Sequence, residues 1–524
     1  MIHAYTAAAV RAAEQPRVDA DGNLALMRRA AHGLAGSVVA TLRSRGTKIY
    51  GARIVLLVGS GNNGGDALFA GARLACLGAG VQAFLTGPRT HPEALAAFRD
   101  AGGQWLALAD TAAPTWERRA VAAAGSAAVV VDGLLGTGAR GGLRGAAATV
   151  VDRLQQLQEQ HGAARPAVVA CDLPSGVDAT TGQVQGPVLR AERTVTFGAY
   201  KSGLLTGPGE RLCGTVELVD LGIGPWLGTP ELMRLQAQDV ARALPAPDST
   251  DHKYTRGVAG IIAGSAAYPG AALLATAAAS ACGPGMVRYL GPEAVAAALQ
   301  LRNPEVVSSQ DMPQHVRVQA WLVGPGINED SLQLERARAA MHTSLPTVVD
   351  AAALPLVEAG ANNQHLILTP HAGELAQQLQ RWGHTASRAD IESAPLAAAR
   401  MAARLSGAVV LLKGATTVVA EPAGTIFTQA NGLPRLATAG SGDTLAGILV
   451  ALLAMTGVQG TPPAKELART AALAAALHGE LSQLHPGRPL NAGLLARTIP
   501  EVWDRLAHQG VGQGSQGRGH RQLR

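Results

Sequence analysis

The feature that most constrains this chain is a repeated unit: a short apolar run, a polar glycine-rich loop, then an alanine-rich stretch of helical character. It occurs in RIVLLVGSGNNGGDALFAGARLA at 53–75, AAVVVDGLLGTGARGG at 127–142 and AVVACDLPSGVDATTG at 167–182. TVTFGAYKSG adds another strand from Thr194. Continuous apolar runs separated by helices predict parallel strands buried on both faces. Such sheets bind ligands outside the carboxyl ends of their strands. The marked polar residues of this chain all fall at those ends.

From about Pro225 to Ser249 the pattern lapses, and LPAPDST reads as a linker or boundary. A second alternating series follows. GVAGIIAGSAAYPGAALLATAAASA reads as strand, loop and helix; AWLVGPGIN, PTVVDAAAL, HLILTPHAGE and AVVLLKGATTVVAEPAGTIF supply further strand ends, the last with a hairpin near Glu421–Gly424. With 524 residues, two cores are expected rather than one. The reading is therefore two α/β domains in tandem: 1–225, a linker at 226–248, and 249–508. The Gly/Gln-rich end, 509–524, is expected to be disordered.

Composition narrows the class. The net charge of +6 is mild, part of it in the arginines of the tail, and aromatics make up 3% of the chain. No basic stripe with interleaved aromatics marks a nucleic-acid surface. No apolar run approaches the ~18 residues of a membrane span. Arg11, Glu14 and Arg17 interrupt what a signal peptide would keep apolar. Cys76, Cys171, Cys213 and Cys282 are widely spaced without a CxxC, which reads as reduced thiols in a cytoplasmic protein.

The first loop, GSGNNGGD at Gly59–Asp66, places Gly61, Gly64 and Gly65 where tight turns and close backbone approach are needed. The helix after it offers free N–H groups to an anion. It matches neither the dinucleotide GxGxxG fingerprint nor a Walker A motif. Asp132 and Asp172 end later strands, and Ser175 follows in DLPSGVD. Asn63, Asp132 and Ser175 are hard oxygen donors suited to a cation. Strand-end aspartates also cap helices, so both readings stand on the residues alone. Lys201 in FGAYKSG is either a charge near phosphates or a solvated strand-end lysine.

Together, GSGNNGGD, DGLLGTGARG, DLPSGVD and TFGAYKSGL resemble the N-terminal domain of bacterial NAD(P)H-hydrate repair enzymes, a Rossmann-like epimerase that interconverts R and S hydrates at C6 of the damaged nicotinamide. The resemblance implies substrate contacts from Asn62, Asn63, Gly64, Gly65 and Asp66, and potassium held by Asn63, Asp132 and Ser175. It implies a phosphate cradle from Gly136, Thr137, Gly138, Ala139, Arg140, Gly141 and Gly142, with Asp172 facing the reacting ring. The opening segment, through LALMRRAAHGLA, matches that family only loosely.

In the second half, AGSAAYPGAA, VGPGIN, TPHAGE, LLKGATT and AGSGDTLAG are each weak alone. In this order they resemble the ADP- or ATP-dependent NAD(P)H-hydrate dehydratase domain, which is ribokinase-like. The resemblance covers nearly all of 250–505. It implies nucleotide contacts from Lys413, Gly414, Ala415, Thr416, Thr417 and Gly442. Ala271, Gly326, His371 and Asp443 would contact the hydrate, with Asp443 as general base. ADP with magnesium would be the co-substrate, NADHX and NADPHX the substrates, and a homo-oligomer the assembly. Two rivals remain: a ribokinase-like small-molecule kinase fused to a nucleotide-binding domain, whose Gly-x-Gly-Asp turn is the same, and a nucleotide-binding regulator without turnover.

Overall fold

The computed structural model describes residues 1–87, 89–139, 141–161, 166–360, 363–456 and 462–511. The expected disordered tail therefore falls mostly outside the described residues, at 512–524. The chain divides into two compact units, His3–Glu231 and Leu232–Arg524 with Met1–Ile2.

The N-terminal unit is built on a parallel sheet. Its strands run Gln104–Ala107, Gly80–Leu85, Arg53–Val58, Val129–Gly133, Ala167–Cys171, Arg193–Phe197, Thr215–Val219. That order reverses between Arg53–Val58 and Val129–Gly133, the doubly wound arrangement expected from the sequence. The central strands are buried along their length, which is why they read as unbroken apolar runs. Helix Asn23–Ser44 packs Met27, Ala30, Leu34, Val38 and Leu42 inward. Ala4 and Tyr5 pair in parallel with Tyr200 and Lys201. That pairing leads directly into helix Ala7–Asp21, whose Arg11 and Glu14 border the site described below.

In the C-terminal unit the order is Val307–Ser309, Met286–Leu290, Val258–Ile262, Ala320–Val323, Thr347–Val349, Leu366–Leu368, Val409–Leu412, again parallel. Strands Thr417–Ala420 and Ile426–Gln429 continue it antiparallel, forming the hairpin read from the sequence. The segment 226–248, expected as a linker, carries a strand and a helix. Leu232–Arg234 pairs with Ile426–Gln429, and helix Ala237–Ala243 follows. Leu232, Leu235 and Val240 are buried, and three such apolar anchors are enough to dock a short segment whose loop-like composition hid it.

Helix Ser441–Thr456 is apolar nearly all round because it is buried nearly all round. It lies against helix Pro269–Ala281 through Gly447, where a Cβ would strike the carbonyl oxygen of Ala275. Gly447→Ala should therefore destabilise the C-terminal unit by about 1–3 kcal/mol, the usual cost of overpacking. Thermal unfolding that left this unit's transition unchanged would disprove the close approach.

Candidate active sites

The N-terminal site forms where the strand order reverses. Gly59, ending its strand, donates its N–H to the carbonyl of Gly133 (3.1 Å). A Cβ on Gly59 would strike the Leu134 carbonyl oxygen and one on Gly136 would lie 3.1 Å from Cβ of Asn63, so the loops approach closely where glycine stands. Helix Asn62–Cys76 starts inside the motif, leaving its first N–H groups toward the loop. A cavity of about 490 Å³ opens at this point. Asn62, Asn63, Asp66, Gly136–Ala139 and Asp172 line it. Arg11, Glu14 and Lys201 line it too. Gly64 and Gly65 are buried behind the helix start, Gly65 against Met27. Gly141 and Gly142 lie against Gln185, and Arg140 is outside the described residues.

Lys201 fits neither sequence reading, phosphate contact or solvated lysine. It is 1% exposed, and its Nζ donates to Asp172 Oδ1 (2.6 Å), Thr196 Oγ1 (3.1 Å) and the Phe197 carbonyl (2.7 Å). Asp172 Oδ1 also accepts from Thr196 Oγ1 (3.2 Å), and Oδ2 accepts from the Thr137 N–H (3.2 Å). Burial alone would raise the Asp172 pKa. The Lys201 charge and these hydrogen bonds outweigh it and hold the carboxyl below its ordinary value. Asp172 adopts φ +66°, a left-handed conformation that costs energy in a non-glycine residue and recurs at functional sites.

Asn63, Asp132 and Ser175 meet beside the cavity. Ser175 donates from Oγ to Asp132 Oδ1 (2.6 Å) and from its N–H to Oδ2 (2.8 Å). The Leu135 N–H donates to Ser175 Oγ (2.9 Å), and Asn63 Nδ2 donates to the Leu135 carbonyl (2.9 Å). Asn63 Oδ1 is buried without a hydrogen-bond partner among the described residues. Burial raises Asp132 despite the hydrogen bonds from Ser175.

In the C-terminal unit the same kind of reversal lies between Val258–Ile262 and Ala320–Val323. The Gly264 N–H reaches the Pro325 carbonyl (2.7 Å). Gly326, at φ +65°, would place a Cβ 2.7 Å from that of Ala271, so these two expected substrate contacts adjoin. Lys413 Nζ donates to Asp350 Oδ1 (2.8 Å) and lies 3.8 Å from Glu374. Thr369 Oγ1 also donates to Asp350 (2.7 Å). Burial alone would lower Lys413, but Asp350, Glu374 and Asp443 together raise it, so it stays charged. Gly442 stands where a Cβ would be 3.6 Å from Lys413 Nζ. Asp443, in the first turn of helix Ser441–Thr456, is raised to about 6 by burial and by Asp350, with Lys413 opposing.

His371 is exposed and caps helix Ala372–Arg381. Its Nδ1 accepts from the N–H groups of Gly373 (3.0 Å) and Glu374 (3.1 Å). Gly414 and Ala415 are exposed, Thr416 is buried, and Thr417 starts its strand. Three residues here escaped the sequence reading. Asp350 stands in the strand end PTVVD, a visible signal. Ser441 and the buried His478 are bonded (Oγ···Nε2 3.1 Å), and nothing in the sequence links positions 37 apart.

Each unit thus offers a glycine-lined strand-end site with a lysine–carboxylate pair, one of them beside a helix N-terminus that carries a carboxylate. The class so defined is a two-domain α/β enzyme with two separate sites. Residues 259–501 match the profile of the NAD(P)H-hydrate dehydratase family, and 23–203 match that of the YjeF-related protein N-terminus. A bifunctional NAD(P)H-hydrate repair enzyme of Mycobacterium leprae (strain TN) is 40% identical over 491 residues, covering 91% of this chain and 95% of that protein. An NAD(P)H-hydrate epimerase of Microbacterium testaceum is 43% identical over 252 residues, 48% of this chain and 90% of that one. A solved ADP/ATP-dependent NAD(P)H-hydrate dehydratase from Bacillus subtilis, co-crystallised with ATP/Mg2+, covers 52% of this chain and 97% of its own at 27% identity and TM-score 0.45. The chain belongs to the family of bifunctional NAD(P)H-hydrate repair enzymes.

The Lys201–Asp172 pair sets an expectation for stability. Lys201→Met leaves a buried carboxylate without its counter-charge and should cost about 3–5 kcal/mol. Lys201→Met with Asp172→Asn should recover much of it. Unfolding curves in which the double variant is no more stable than the single one would contradict a charge-pair origin.

Proposed function

We propose that the N-terminal unit epimerises NADHX and NADPHX and that the C-terminal unit dehydrates the S form with ADP, releasing AMP and phosphate. The observation that carries the second half is Asp443: a carboxylate with a pKa of about 6 at the head of a helix whose free N–H groups suit phosphate. A passive anion cradle gains nothing from that negative charge. A phosphoryl-transfer site does, because the attacking hydroxyl must lose a proton.

The chemistry follows from the geometry. Asp443 takes the proton of the hydrate's C6 hydroxyl as the oxygen attacks the terminal phosphorus of ADP. The P–O bond to AMP breaks. Backbone N–H groups at the turn and Lys413 offset charge on the phosphoryl group in flight. The C6–O bond then breaks with phosphate as leaving group, and loss of the C5 proton regenerates the dihydronicotinamide. Among the described residues no three His, Cys, Asp or Glu side chains gather to hold a metal. Magnesium would therefore arrive on the nucleotide, where it neutralises phosphate charge.

In the N-terminal unit, Asp172 moves a proton at the hydrate carbon while the Gly136–Ala139 loop and the start of helix Asn62–Cys76 hold phosphate. A potassium ion fits beside it. Asn63 Oδ1 is a buried oxygen lacking a donor, and Asp132 and Ser175 add hard oxygens with a single formal charge. The ion would tie three loops together. A cytoplasmic setting suits the substrates, and the four cysteines are free.

Four measurements test this reading. Hydrated NADH plus ADP should regenerate NADH absorbance, whereas a stable phosphorylated product without NADH would establish the kinase rival. Dehydration of S hydrate should rise with pH to a plateau, half-maximal near 6, because Asp443 acts only when ionised. Asp443→Asn should lower that rate by about 10²–10⁴-fold, and intact activity would refute the base assignment. Replacing potassium by a larger or smaller monovalent ion should slow conversion of R hydrate and spare dehydration of S hydrate. Equal sensitivity of both steps would argue against a potassium site in the first unit.

A further inference from the structure

The cavity of the N-terminal unit holds a carboxyl group in a state unlike that of Asp172. Asp66, on helix Asn62–Cys76, lines the same cavity and is 8% exposed. Its carboxylate takes no hydrogen bond and no ion pair among the described residues. A carboxylate buried to that degree without donors is costly, so the neutral acid is the stable form. Asp172, in the same cavity, has the opposite environment, with donors from Lys201, Thr196 and Thr137.

We propose that Asp66 is the general acid of the epimerase, giving its proton to the departing C6 hydroxyl while Asp172, held by Lys201, receives the proton of the incoming water. This rests on the epimerase reading above. The C6–O bond breaks and the hydroxyl leaves as water with the Asp66 proton. The lone pair of the ring nitrogen forms the C6=N iminium bond. Water adds to the opposite face of C6 and passes a proton to Asp172. Net, one proton has moved from Asp66 to Asp172, and exchange with solvent resets the pair.

The charges around Asp66 support this division. Burial first, then the charges of Asp172 and Glu14, push its pKa well above the ordinary value, and the opposing Lys201 is outweighed. Glu14 is itself raised by burial and by Asp172, with Lys201 and Arg11 opposing, and Cys171 is raised by burial and by the charges of Asp66, Asp172 and Asp132. Two carboxyls whose environments push them apart mark an acid and a base. They are also coupled. Once Asp172 is protonated, its charge no longer raises Asp66, and ionising Asp66 costs less. The pair therefore serves both directions, as an epimerase requires: the acid for one epimer is the base for the other.

The test uses the full chain with separated R and S hydrates and ADP. Conversion of R hydrate by Asp66→Asn should fall by about 10²–10⁴-fold, with dehydration of S hydrate by the other unit as control. Asp66→Glu, which can still carry a proton, should restore part of the rate. Should the Asn variant unfold its unit, the wild type suffices: its R-to-S rate must decline at alkaline pH as Asp66 ionises. It must also place one solvent oxygen at C6 per inversion, read as 18O from labelled water. Wild-type rates in Asp66→Asn, or inversion that retains the original oxygen, would overturn this role and leave the epimerase reading standing. A wild type that never converts R hydrate would overturn both.

Discussion

A strand buried on both faces can carry a polar group only at its ends. That constraint governs both units. Each sheet excludes water along its length, so every group able to bind or react is driven to the carboxyl ends, where helices begin. Loops there must pass close to one another, and glycine makes this possible. Gly59 beside Leu134, Gly324 beside Asp350 and Gly326 beside Ala271 are among the places where a side chain would press the loops apart. The buried ion pairs depend on the same exclusion. Lys201 with Asp172, and Lys413 with Asp350, are strong because the sheet below them is dry, and each is costly to break for the same reason.

Much of this was legible in the sequence. The parallel strands, the hairpin after Val409–Leu412 and the placing of Asp132 and Asp172 follow from apolar runs that end in a carboxylate, and that of Asp443 from a glycine turn ahead of an apolar helix. What the sequence hid was partnership. Lys201 lies 29 positions from Asp172, and only the pairing of Ala167–Cys171 with Arg193–Phe197, the strand shortly before Lys201, makes it a counter-ion rather than a surface charge. Glu14 reaches the cavity because Ala4 and Tyr5 pair with Tyr200 and Lys201, a contact with no local signature. His371 shows the converse. Its motif was readable, but the capping role was not: Nδ1 accepts from the helix N–H groups while Nε2 lies 3.5 Å from Glu374 Oε1.

His478 adds a second kind of illegible residue, one that supports the site from behind. Burial pushes it down to about 4, so the ring bonded to Ser441 stays neutral at working pH. The same helix, Ala464–Gln483, accepts hydrogen bonds from Asn431 Nδ2 and, at Ser482 Oγ, from the Leu433 N–H. The segment leading to the turn at Asp443 is thereby fixed before any ligand arrives. Preorganised donors aimed at a developing charge need no rearrangement during reaction.

The two units pose one chemical problem twice. Hydroxide is a poor leaving group, and the hydrate's C6–O bond breaks only when that oxygen is altered first. A proton is enough if the oxygen is to return, and a neutral carboxylic acid can supply it; burial and the charges of Asp172 and Glu14 favour that form of Asp66. A phosphoryl group is needed if the oxygen is to be lost for good, and its transfer calls for an ionised base; a pKa of about 6 leaves Asp443 ionised at neutral pH yet basic enough to accept a proton. The two sites thus share a substrate and a bond while requiring carboxyl groups in opposite protonation states. The first site already holds both states side by side, because Lys201 donates to Asp172, whereas burial and the neighbouring carboxylates favour the neutral form of Asp66.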